Sequence, residues 1–407
     1  MPEHLLPDPE MERLIQEMNR LAERSDDAAP EPHVPALELD EPQLGTVLRG
    51  DELHGLLAAM IARRASDLIL VPGSAPVLRV DGRLHRLELP AIADDGVGTL
   101  FEAHLGARSR RLLAESGAAD FSLDLPAGED ATHGVRLRVN IHRQRGRLAA
   151  AVRALPQRIP SLADLGLPER LAELVQADNG LVLVCGPTGS GKSTTLAALL
   201  DHLNRTRFCH VITIEEPVEY VHGNRRSLFE QVEVGRDAPS FAAALRSALR
   251  RDPDVILVGE MRDLETMATA ITAAETGHLI LSTLHTGDCA QAINRMVDVY
   301  PAGQQSQVRQ QLSLSLRAVV CQQLVPTADR RARVPAVEVL LATYAVRNHI
   351  RRSNLDRLYN ELMAGRGRGM VSMEQSLAEL VRSGVVSAEE ARMRSSRSDE
   401  LERILGG

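Results

Sequence analysis

Tryptophan is absent from the 407 residues, aromatic side chains make up 2%, and lysine occurs once. With so few rings, a nucleic-acid surface built on base stacking is disfavoured. No run of about 18 apolar residues appears, and the start of the chain lacks the charged-then-apolar pattern of a signal peptide. A cytoplasmic protein is therefore expected, one that meets any membrane through partners and not by direct insertion. The four cysteines, Cys185, Cys209, Cys289 and Cys321, stand far apart with no C-x-x-C pair. They read as reduced, mostly buried thiols with no zinc site and no disulfide framework. Charge of either sign is missing from the body as a net quantity. Residues 1–50 hold 12 acids against 4 arginines, the whole net charge of −8, and the rest balances 43 acids with 43 bases. Such a body carries no global field suited to DNA or an anionic membrane.

What is present is a multidomain length and an ordinary globular mix, 44% hydrophobic and 25% charged. Residues 1–50 read as an acidic, flexible extension. Met11, Leu14, Ile15, Met18, Leu21 and Ala22 fall at helical spacing there, which fits either a docking helix or a disordered tail with incidental periodicity. Residues 51–154 read as a small α+β domain, with a helix near 56–64, strands at Asp67–Val71, Val77–Val80 and Val135–Ile141, and a turn at Asp81-Gly82. A Pro-bearing linker, 155–168, leads to an α/β domain over 169–345. Its short apolar runs Leu181–Cys185, Val211–Ile214, Val255–Val258 and Leu279–Ser282 have the character of buried parallel strands. Residues 346–407 read as a helical region, with segments at Val346–Leu362, Ser372–Ser383 and Ser387–Met393.

The chemistry concentrates in Gly186-Pro187-Thr188-Gly189-Ser190-Gly191-Lys192-Ser193-Thr194, which fits G-x-x-x-x-G-K-[ST] between an apolar strand and a helix. Glycines let backbone N–H groups converge on phosphate oxygens, and the helix N-terminus adds partial positive charge. Lys192 is expected to reach the β/γ-phosphates of ATP and the Ser193 hydroxyl to ligate Mg²⁺. All 46 other basic residues are arginine, so the lone ammonium sits where a compact point charge is needed and a planar guanidinium is bulkier. A second apolar strand, Val255–Val258, ends near Glu260, the expected general base, and is expected beside the loop's own strand. Glu215, Glu216 and Glu219 follow a third strand, where one or more fit the water shell of the metal and the alternative is a solvated acidic loop. His285, after a fourth, fits either a sensor of the γ-phosphate or, as a lone histidine more often is, a structural residue.

GPTGSGKSTT, ITIEEPVEY, ALRSALRRDPDVILVGEMRDLET and AAETGHLILSTLHT together resemble the Walker A, acidic, Walker B and histidine boxes of the secretion and pilus ATPase superfamily, in that family's order. Ala345–Arg351, Gly369–Leu377, Ala65–Leu68 and Val139–Arg145 resemble its retraction branch, the PilT family of type IV pilus twitching motility. The resemblance spans about residues 51–395. It implies a RecA-like core with a smaller PAS-like N-terminal domain, and a homohexamer with ATP at subunit junctions. It also implies arginines reaching in to neutralise charge, with Arg138, Arg143, Arg145, Arg246 and Arg250 as unranked candidates. Expected partners are an inner-membrane pilus platform protein and other pilus ATPases, at the inner face of the cytoplasmic membrane. Departures are Ile69 for a histidine, Glu216 for an aspartate, and Val232 within a Gln-Arg-Glu triplet. Extension and type II secretion relatives carry a four-cysteine zinc module that has no counterpart in these spacings.

Overall fold

The computed structural model describes residues 52–125, 135–156 and 158–406. The helix considered at 8–24 lies outside the described residues.

The first layer is a six-stranded antiparallel sheet in the order β3-β2-β1-β6-β5-β4. It comprises β1 (Asp67–Leu70), β2 (Val77–Val80), β3 (Arg83–Arg86), β4 (Ala118–Leu125), β5 (Val135–Gln144) and β6 (Arg147–Ala154). Alternation along β5 turns Leu137, Val139 and Ile141 into a core. Three helices close that core: α1 (Glu52–Ala62), α2 (Gly96–Phe101) and α3 (Ala107–Glu115). The opposite face of β5 carries Arg136, Arg138, Asn140 and His142. Two hairpins are sealed by two-residue turns in the left-handed region, Asp81-Gly82 and Arg145-Gly146, which match the strand twist.

The second sheet has seven strands in the order β13-β12-β7-β11-β10-β8-β9. Its strands are β7 (Gly180–Cys185), β8 (His210–Glu215), β9 (Leu228–Glu233), β10 (Val255–Val258), β11 (Leu279–Leu284), β12 (Leu316–Pro326) and β13 (Arg333–Leu341). All neighbours are parallel except β12 and β13. Every residue of β7, β10 and β11 is buried, as a sheet covered on both faces requires. The covering helices are α4 (Lys192–Thr206), α5 (Phe241–Ala248), α6 (Leu264–Glu275), α7 (Cys289–Asp298) and α8 (Ala302–Ser315). Asp263 and Asp288 accept the Thr266 and Gln291 amides at 2.8 and 2.7 Å, capping α6 and α7. Such caps contribute about 1 kcal/mol each.

Two sequence expectations are corrected here. The strand leading to Glu260 does not lie beside the loop's own strand, because β11 intervenes between β7 and β10. The segment 346–362 is not one helix. It divides into α9 (Tyr344–Arg351) and α10 (Leu358–Ala364), because Ser353 adopts φ 57° and the chain turns back through Asn354 N–H to His349 O. The last helices, α11 (Met373–Arg382), α12 (Ala388–Arg394) and α13 (Ser398–Gly406), pack on the far ends of β12 and β13. A capping box at Ser372 and Gln375 starts α11. Among the described residues, no helix is long and apolar enough to cross a membrane.

Candidate nucleotide site

The phosphate loop leaves β7 at Cys185 and enters α4 at Lys192. Gly186, Gly189 and Gly191 all take positive φ. At Gly186 a Cβ would stand 2.2 Å from the Gln322 carbonyl oxygen, so only glycine fits. Lys192 is buried, and its Nζ donates to the Gly186 and Pro187 carbonyls at 2.9 and 3.0 Å. Burial lowers its ammonium's pKa from the ordinary 10.5, while the Cys185, Glu260 and Glu219 side chains pull it back up. Pro187, Thr188, Gly189 and Ser193 face solvent. Thr194 does not, because its hydroxyl bonds Tyr220 Oη at 3.1 Å.

Across the sheet, three strand ends present the remaining groups. Glu260 lies two residues beyond β10 and pairs with Arg262 Nε at 2.8 Å, with His285 Nε2 at 3.9 Å from its other oxygen. Thr283 Oγ1 donates to the Gly259 carbonyl at 2.6 Å and locks the ends of β10 and β11 together. Burial, and then the charge of Lys192, keep the His285 imidazole below its ordinary pKa. Lys192 therefore senses Glu260, Glu219 and His285, which come from three other segments.

The acidic loop divides its three carboxylates. Glu216 is exposed. Burial pushes Glu215 up to about 7, opposed in part by the nearby Thr213 hydroxyl and helped by the neighbouring charge of Glu219. A small cavity of roughly 30 Å³, lined by Ser193, Glu215, Tyr220, Gly259 and Thr283 among others, separates loop and acids. It is large enough for a water molecule. His222, stacked on Phe229 with ring centroids 4.7 Å apart, is held neutral by burial, its pKa down at about 4.

Of the arginines expected near the phosphates, Arg138, Arg143, Arg246 and Arg250 engage other partners within this chain. Arg138 is 3.6 Å from Asp120, Arg145 sits at the tip of the β5–β6 turn, and Arg143 Nε donates to Leu113 O at 3.4 Å. Arg246 pairs with Glu265, and Arg250 donates to Arg246 O at 3.0 Å. Sequence reasoning missed two supporting residues, one bracing the loop and one pairing with Glu260. Gln322, on β12, donates to Ser190 O at 2.8 Å and accepts from Thr195 Oγ1 at 2.7 Å, and nothing local in its apolar strand marks it. Arg262, two residues after Glu260 in G-E-M-R-D, could have been suspected as an ion-pair partner from that spacing.

The loop fits a phosphate-bearing ligand. Ser190 Oγ and Thr286 Oγ1 are buried without a hydrogen-bond partner, a condition that a bound polar group relieves. Fold and site together define a RecA-like phosphate-loop ATPase. Residues 56–404 match the family described as Type II/IV secretion system protein, and the chain belongs to that family. The chain is 44% identical over 342 residues, 84% of its length and 97% of the relative's, to the Type IV pilus retractation ATPase PilT of Pseudomonas aeruginosa. It is also 44% identical to the Twitching motility protein of Neisseria gonorrhoeae, over 80% of this chain and 86% of that one. A solved structure of the pilus retraction motor PilT with bound ADP superposes with a TM-score of 0.78 at 42% identity, covering 87% of this chain and all of that one.

Proposed function

We propose that the protein is an ATP-hydrolysing, homohexameric motor that drives type IV pilus retraction. The observation that carries this reading is the chain's one lysine, buried in the phosphate loop and sharing its surroundings with Glu260, Glu219 and His285. Lys192 would exchange its two loop carbonyls for the β/γ-phosphates of ATP, a compact charge trading neutral acceptors for anionic ones. Ser193, exposed at the start of α4, would take Mg²⁺, which when bound neutralises phosphate charge. Glu260 would orient and deprotonate the attacking water, with Arg262 and His285 fixing the direction of its carboxylate. Glu215, Glu216 and Glu219 would hold the metal's waters. His285 would report the γ-phosphate to α7 through the short 285–288 segment.

Completion of the site by a neighbouring copy is part of the proposal. Arg143, Arg145, Arg246 and Arg250 are exposed and Arg138 is partly so, a supply of guanidinium groups for a subunit junction. Residues 51–154, 169–345 and 346–407 would act as N-terminal, motor and C-terminal parts, with 1–50 as a separable extension. The working place would be the cytoplasmic face of the inner membrane, against a platform protein and alongside other pilus ATPases. The decisive experiment measures ATPase rate and mass in solution, with complementation of pilus-making cells that lack their own retraction motor. A hexamer that hydrolyses ATP and restores twitching is expected. An inactive monomer, or a protein restoring extension or secretion only, would overturn the reading.

A further inference from the structure

Three of the four thiols, scattered at positions 185, 289 and 321, come together directly beneath the phosphate loop. Parallel pairing sets Cys185 opposite Cys321, and antiparallel pairing sets Cys321 opposite Glu338. Cross-strand partners project from the same face of a sheet, so β7, β12 and β13 bring these three side chains side by side. Helix α7 lies over that face, and its first residue contributes a fourth group. The Cys289 amide donates to Glu338 Oε1 at 2.9 Å and its thiol donates to Val319 O at 3.4 Å. The ligand atoms of Cys289, Cys321 and Glu338 lie within 4.8 Å of one another. The Cys321 thiol is also near enough to those of Cys185 and Cys289 for each to influence its ionisation. Exposure is 0% at Cys185 and Cys321, 1% at Cys289 and 6% at Glu338.

Buried thiols alone would be ordinary core packing. Glu338 changes the weighing, because a carboxylate is rarely this buried without a cationic partner. Its charged neighbours are Asp288 and Glu374, both acidic. The cluster thus combines soft sulfur donors with a hard oxygen. Three sulfurs and one oxygen form a donor set suited to tetrahedral Zn²⁺. Around zinc, with Zn–S near 2.3 Å, sulfurs stand about 3.8 Å apart, so Cys289, Cys321 and Glu338 need to contract by roughly 1 Å, and Cys185, which lies outside that 4.8 Å group, has to move further to join them.

We propose that Cys185, Cys289, Cys321 and Glu338 form a closed structural zinc site under the phosphate loop. The sequence expectation of no zinc site rested on the lack of paired C-x-x-C spacing, whereas here strand register assembles the donors. On binding, each thiol gives its proton to solvent and coordinates as thiolate. The ion would tie together the neighbours of its ligands: Gly186 after Cys185, the loop-bracing Gln322 after Cys321, and the 285–288 segment before Cys289. It would staple the loop's floor to the histidine segment without touching nucleotide.

The test uses the full-length protein, incubated with excess Zn²⁺ and desalted, with Co²⁺ as a spectroscopic substitute. About one Zn²⁺ per chain and a thiolate-to-cobalt charge-transfer band are expected. Cys321→Ser and Cys289→Ser should reduce bound zinc at least about fivefold, while Cys209→Ser, outside the cluster, should retain it. Zinc should also raise the thermal midpoint of the wild type but not of Cys321→Ser. Should the cluster variants fail to fold, the wild-type cobalt spectrum decides. Absence of stoichiometric zinc, a cobalt spectrum without thiolate charge transfer, or equal loss in Cys209→Ser overturns the proposal. None of these readouts depends on pilus retraction or on ATP turnover.

Discussion

Replacing Glu215 by Gln tests how the acidic loop is held before any ligand arrives. Its carboxyl titrates near 7 in the folded protein against an ordinary 4.5, because burial disfavours the charged form. An acid whose folded pKa is raised costs nothing below 4.5, where both states are protonated. Between 4.5 and 7 the unfolded chain has released the proton and the folded one has not, so stability falls by up to about 1.4 kcal/mol per pH unit. Above 7 the penalty is complete. Linkage between those two pKa values puts the penalty at about 0.8 kcal/mol at pH 5 and about 3 kcal/mol at pH 8. Gln keeps the shape and an acceptor oxygen for Gln231 Nε2, 3.5 Å away, but carries no charge. In urea unfolding without nucleotide or Mg²⁺, the variant should therefore gain about 2–3 kcal/mol on the wild type between pH 5 and pH 8. Taking the difference between the two proteins cancels every other titrating group. A gap that stays constant to within about 0.5 kcal/mol across that range would refute the reasoning.

Glu260→Gln should bind Mg²⁺–ATP nearly normally yet lose about 10²-fold or more in turnover, as removal of a general base does; retention of over half the rate would reject that role. Arg136→Ala should destabilise the fold by about 3 kcal/mol in urea, because it strands the buried Glu233, and adding Glu233→Gln should recover part of the loss. A single Arg136→Ala variant as stable as the wild type would show the pair to be idle. Lys192→Arg should remain folded but lose most nucleotide turnover, since a planar fork cannot occupy the space between the Gly186 and Pro187 carbonyls. Amine-directed labelling can reach only Lys192 and the N-terminal amine, and Mg²⁺–ATP should shield the side chain alone; unchanged labelling would remove Lys192 from the phosphates.

What the sequence made legible was whatever is contiguous. The phosphate loop compresses turn, charge and helix start into nine residues, so each function is readable from its neighbours. The hairpin turn at Asp81-Gly82 was legible for the same reason, whereas β9, β12 and β13 were not read as strands. Strand order was not legible either, because nothing in Val255–Val258 or Leu279–Leu284 states which one sits beside β7. Gln322 was invisible for a related reason: its partners Ser190 and Thr195 are about 130 residues away and become neighbours only through the β7–β12 ladder.

The same distance argument explains how the smaller sheet can matter to the chemistry. Arg136, on the polar face of β5, donates through Nε to the Val218 carbonyl at 2.9 Å, inside the acidic loop, and pairs with Glu233 at the end of β9. Ser122, on β4, donates to the same carboxylate at 2.6 Å, and Glu233 in turn accepts the Val218 amide at 3.3 Å. Both polar groups of Val218 are thus held by one ion pair that straddles the two sheets. Val218 adjoins Glu219, whose charge acts on both Lys192 and Glu215. A displacement of β4 and β5 relative to β9 would therefore pull directly on the loop that bears those acids. Such motion must either carry the acidic loop along or break the pair, in which case Arg136 keeps Asp124 while the buried Glu233 loses its guanidinium.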